Sequence, residues 1–162
     1  MSLCSAVYSI SSVWTYINTP KMNMYAVQKK WNSMDKTLLK GVILSCITFL
    51  IGGVFVLTVL LRYQTKVSIL SRFLSVVPIF TLLCAWFIQI IVNSIAIYLR
   101  AHKQEPFMIL SIVSGIYILV CTFIIVKYLS INFLFMGFFT AQVLGLPWCI
   151  SIFYKKRRLW HI

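Results

Sequence analysis

A chain of 162 residues that is 61% hydrophobic and only 10% charged cannot cover itself with a polar surface, since water-soluble domains carry about 25% charged residues. A soluble fold is excluded on that ground, and the length suggests one domain. The net charge of +13, from fifteen Lys and Arg against Asp35 and Glu105, is accounted for in so apolar a chain by membrane topology, with no call for a nucleic-acid partner.

In chain order, residues 1–20 open with an apolar, Ser-rich stretch, Ser2 to Asn18. It is slightly short for a membrane span and lacks the basic start and cleavage pattern of a signal peptide. It reads as a partial membrane helix ending at Asn18-Thr19-Pro20. Residues 21–40 follow as a cytoplasmic linker. Met24, Val27, Trp31, Met34 and Leu38 recur at three- and four-residue steps and Lys21, Gln28, Lys29, Asn32 and Lys36 fall opposite, which predicts an amphipathic helix lying in the membrane interface.

Residues 41–154 hold four spans: Gly41 to Leu61, Phe73 to Leu99, Phe107 to Val126 and Ile131 to Tyr154. None contains Lys, Arg, Asp, Glu or His, and each reaches the roughly 20 apolar residues that cross a hydrocarbon core. Within lipid the backbone must satisfy its own hydrogen bonds, so all four are predicted to be helices. The expected fold is therefore an all-α integral membrane protein: four full transmembrane helices, a partial N-terminal membrane helix and an amphipathic helix. Residues 155–162 form a basic tail. Eleven of the fifteen cations flank the spans on one side, in the Lys21–Lys40 cluster, at Arg100 and Lys103, and in Lys155 to Arg158. Arg62, Lys66, Arg72 and Lys127 flank the other. The positive-inside rule puts the first set, and the C-terminus, in the cytoplasm.

Three features inside the spans point to packing or to a polar path. Gly52-Gly53 centres the first span, and Gly137, Ala141 and Gly145 repeat every fourth residue in the last, a helix-packing face. Gln89 and Asn93 share a face of the second span. An amide in lipid is costly unless bonded to a neighbouring helix or lining a polar cavity, and both roles stay open. Pro78 and Pro147 are predicted to bend their helices, and Tyr63, Tyr98, Tyr128, Tyr154 and Trp160 to form interfacial belts. Cys4, Cys46, Cys84, Cys121 and Cys149 read as apolar packing residues, and His102 and His161 sit in basic segments without metal-ligand spacing. With two acids and no phosphate loop, the chain offers no catalytic constellation, metal site or cofactor site. The spans hold no carboxylate for proton or sodium coupling.

The loop YLRAHKQEPF, Tyr98 to Phe107, resembles a stretch near the C-terminus of bacterial polysaccharide flippases, the O-antigen and capsule repeat-unit translocases of the multidrug/oligosaccharidyl-lipid/polysaccharide exporter superfamily. The ending Gly145-Leu146-Pro147-Trp148 with Tyr154-Lys155-Lys156-Arg157-Arg158 and Trp160-His161 is similar to their last helix and tail. The run from Trp14 to Pro20-Lys21-Met22, followed by a helix with Asp35, is similar to their linker before the ninth helix. The resemblance implies the end of helix eight and helices nine to twelve of a twelve-helix protein, partnered by a missing N-terminal bundle in the bacterial inner membrane. It implies a substrate of oligosaccharide on undecaprenyl pyrophosphate, turned from the inner to the outer leaflet without bond making. Arg100 and Lys103 would then contact the pyrophosphate, and Gln89 and Asn93 the glycan path; setting topology is the competing role of the two cations. A standalone four-helix subunit or scaffold and a drug-exporting relative are the alternatives, and a membrane glycosyltransferase is disfavoured by the scarcity of acids.

Overall fold

The computed structural model describes residues 2–63, 76–102, 107–128, 133 and 135–160. Among them stand five helices and no strand: α1 (Ser2–Val27), α2 (Trp31–Tyr63), α3 (Val76–Ala101), α4 (Met108–Tyr128) and α5 (Met136–Trp160). The last four are each long and apolar enough to cross a membrane, over Trp31–Arg62, Pro78–Ala101, Met108–Tyr128 and Met136–Arg158. The expected positions Lys66, Arg72, Lys103, Glu105, Pro106 and His161 lie outside the described residues.

The first two helices form an antiparallel hairpin, and small residues set its close approach. Gly41, Ser45, Thr48 and Gly52 of α2 share one face and meet Asn18, Thr15, Trp14 and Val7 of α1 in turn. A methyl group at Gly52 would sit 2.8 Å from Cγ1 of Val7, so glycine is required there for the backbones to come together. Hydroxyls bind the hairpin to α3: Thr15 Oγ1 lies 3.1 Å from Ser45 Oγ and 3.3 Å from Ser94 Oγ, all three buried. Such interhelical bonds contribute about 0.6 kcal/mol each. Central α3 packs on α1, α2 and α5, while α4 leans on α5 and stays exposed elsewhere.

Two apolar clusters close the ends of the bundle. One gathers Cys4, Phe49, Leu82, Leu83, Ile90 and Phe135, with Trp86 between a tilted Tyr8 ring at 4.5 Å and an edge-on Phe138 ring at 5.6 Å. The other gathers Met22, Met34, Ile97, Tyr98 and Leu99 at the end where the Lys21–Lys40 segment, Arg100 and the Lys155–Arg158 run meet. The second end is rich in cations; Arg62 and Lys127 close helices at the first.

Two local expectations differ. α1 does not stop at Asn18-Thr19-Pro20 but runs through Pro20 to Val27. Proline deprives one carbonyl of its partner, yet burial of Met22 at 0% exposure and packing of Tyr25 and Ala26 hold the chain helical beyond it. The residues expected to form one amphipathic helix are instead split. Val27 ends α1, Trp31 begins α2, and Met24 and Val27 are exposed. The break is a Schellman motif: Lys30 N–H donates to Tyr25 C=O at 3.0 Å and Lys29 N–H to Ala26 C=O at 3.3 Å. Lys29 takes the left-handed position, φ 54°, where glycine is usual. Pro78 lies in the first described turn of α3, whereas Pro147 is interior to α5.

Candidate functional site

Opposite faces of α3 border two different spaces. On one face, against α2, an almost wholly apolar groove of about 500 Å³ is lined by Phe49, Leu57, Phe80, Leu83 and Phe87. On the other, a smaller and more polar cleft of about 170 Å³ runs between α3, α4 and α5. Its α3 wall carries Gln89, Asn93, Ala96 and Arg100, spaced at four, three and four residues, so that one helical stripe leads from mid-membrane to the cation-rich end. Ser111 and Ser114 of α4 and Ala141, Gln142 and Gly145 of α5 complete it.

The structure thus brings Gln89, Asn93 and Arg100 to one surface; Lys103 is outside the described residues. Asn93 takes part in both roles weighed for it: it lines the cleft while its Nδ2 donates to Tyr16 Oη of α1 at 3.1 Å. The small-residue stripe of α5 lies towards α4. A methyl at Gly137 would stand 3.0 Å from Cβ of Cys121, and one at Gly145 4.0 Å from Cδ1 of Leu110; Ala141 is 5% exposed. Tyr117 Oη donates to Thr140 Oγ1 at 3.3 Å across the same seam. Chemically the cleft offers three carboxamides, two hydroxyls and a guanidinium, and no carboxylate among its lining residues. Groups of these kinds can donate to anionic oxygens and both donate to and accept from hydroxyls.

A second constellation was not anticipated. Asp35 of α2 accepts from Tyr98 Oη of α3 at 2.7 Å and from an Nη of Arg157 of α5, also at 2.7 Å. Tyr98 is fully buried, with Phe153 edge-on at 5.3 Å and His102 at 5.4 Å. It is therefore not the interfacial belt residue expected, because its ring is buried inside the bundle and its hydroxyl is bonded to a carboxylate. Trp31 stacks on His102 at 5.2 Å and seals the same end. The signal available in the sequence was a lone acid in a basic segment; its partners, 63 and 122 residues away, carry no local signature. The sequence reading also leaves out Gln142, the one side-chain amide within α5.

No family model matches the chain, and neither curated proteins nor solved structures yield a matching relative.

Proposed function

We propose that this chain is part of a carrier that turns undecaprenyl-pyrophosphate-linked oligosaccharide repeat units across the bacterial inner membrane, with the cation-rich end in the cytoplasm. The observation that carries the proposal is the polar cleft beside α3. A glycan-bearing pyrophosphate cannot enter hydrocarbon unaided, since burying unpaired polar and charged groups costs several kcal/mol each. A stripe of amides leading to a guanidinium supplies partners along that path. Arg100 stands at its inner mouth for the pyrophosphate, with Lys103 three residues on in the chain, and Gln89, Asn93 and Gln142 stand deeper for sugar hydroxyls. The YLRAHKQEPF loop that resembles the polysaccharide flippases contributes Arg100 and Phe107 to the cleft. The cleft is one wall of the path; a second helical bundle would supply the other and permit alternating access.

Titration of undecaprenyl pyrophosphate into the detergent-solubilised chain tests the reading. Charge-assisted hydrogen bonds contribute about 1.5–3 kcal/mol, so Arg100→Gln should weaken binding roughly 10- to 100-fold. Undecaprenol, which lacks the pyrophosphate, should bind both forms equally. Equal pyrophosphate affinity for the two forms would remove Arg100 from the site.

A further inference from the structure

The Asp35 constellation lies outside the cleft and involves a helix with a built-in joint. Pro147 sits inside α5, where its missing N–H leaves the carbonyl of Val143 without its helical partner. Two residues earlier stands Gly145. A methyl group there would come no closer than 4.0 Å to Leu110, an ordinary contact, so packing does not demand glycine. Glycine in a helix interior costs about 1 kcal/mol relative to alanine, and at Gly145 nothing steric offsets that cost. The two residues together make a soft point. Beyond it runs an arm from Trp148 to Trp160, with Arg157 about 15 Å from the joint at 1.5 Å per residue.

That arm is held near its tip. Ile152 and Phe153 pack on the Met22, Met34 and Tyr98 cluster, and Arg157 closes on Asp35. Among the described residues α2 and α5 share no extended packing interface, and the Arg157–Asp35 pair ties the two helices directly. Asp35 also takes the Tyr98 hydroxyl, which ties the pair to α3 as well. Arg157 is 42% exposed and Asp35 23%, so the pair is wetted and can exchange its bonds for water at modest cost; a deeply buried pair would not open in this way.

We infer that Asp35, Tyr98 and Arg157 form a latch that holds the hinged C-terminal arm of α5 shut against the cation-rich end of the bundle, and that its release swings the arm about Gly145–Pro147. The arm meets Tyr98 on the side of α3 away from Arg100, so release opens the bundle at the cation-rich end, at the level of the cleft's inner mouth but across α3 from it. The inference does not depend on what the cleft binds.

Electron–electron distance measurements on spin-labelled full-length chain in lipid nanodiscs test it. One label pair replaces exposed Lys36 of α2 and exposed Lys155 of the arm; a control pair replaces exposed Phe55 of α2 and Met136 at the far end of α5. With the native latch the Lys36–Lys155 pair should give one narrow distance, preserved in Arg157→Lys. In Asp35→Asn and in Arg157→Gln a second, longer population should appear, while the control pair stays fixed. Adding Gly145→Ala with Pro147→Ala to Asp35→Asn should abolish that population. An unchanged Lys36–Lys155 distance in both latch variants overturns the latch. Lengthening of both pairs overturns it too, by showing a general brace of the fold, and a longer population that survives the joint replacements overturns the hinge.

Discussion

At the scale of single residues, the sharpest departure from ordinary geometry is Lys29, whose φ of 54° lies in the left-handed region that costs a side-chain-bearing residue about 1 kcal/mol or more. The Schellman hydrogen bonds from Lys29 and Lys30 hold it there and turn α1 into α2. Lys29→Gly should therefore stabilise the chain by about 0.5–1 kcal/mol, read as a higher denaturation midpoint in detergent; a lower midpoint would show that the lysine side chain itself is needed. The same position shows what local pattern reading missed. Asn-Thr-Pro is the stronger stop signal on paper, but burial of Met22 beyond it outweighs one lost hydrogen bond, and the real break falls where no Gly, Asn or Pro marks it.

At the scale of helices, close approach decides the packing. An added methyl at Gly52 gains roughly 1 kcal/mol of helix propensity but meets Val7 at 2.8 Å, and overpacking a tight seam costs about 1–3 kcal/mol. The clash should win: Gly52→Ala is expected to destabilise by up to about 2 kcal/mol, and Val7→Ala in the same chain to restore at least the original unfolding midpoint. Failure of the second change to rescue the first would mean that the hairpin is not spaced by this contact. The four long helices were legible because absence of charge over a membrane thickness is a property of each segment alone. The stripe of Gln89, Asn93 and Arg100 was partly legible for the same reason, since it follows from helical period along α3. Its closure by Gln142, Ser111 and Ser114, and the pairing of Asp35 with Arg157, depend on which helix lies beside which, and no segment carries that information by itself.

At the scale of the molecule, the bundle is polarised in two ways. Cations gather at one end, where Asp35, Tyr98 and Arg157 hold three helices together, and polarity divides across α3, with the apolar groove on one face and the amide-lined cleft on the other. Among the described residues α4 completes the cleft yet packs extensively only along α5, leaving Ile109, Ile112, Ile116 and Phe123 outward. On the proposed reading the substrate headgroup follows the α3 stripe, while its polyprenyl tail stays in the bilayer. Photo-crosslinking reads that path most directly. A photoreactive residue at Ser114, inside the cleft, and another at Ile112, on the outer face of the same helix, are introduced separately into the chain in inner-membrane vesicles supplied with lipid-linked oligosaccharide. The Ser114 probe should capture the glycolipid and the Ile112 probe only bulk phospholipid; capture at both positions alike, or at neither, would contradict a carrier that conducts its sugar along this cleft.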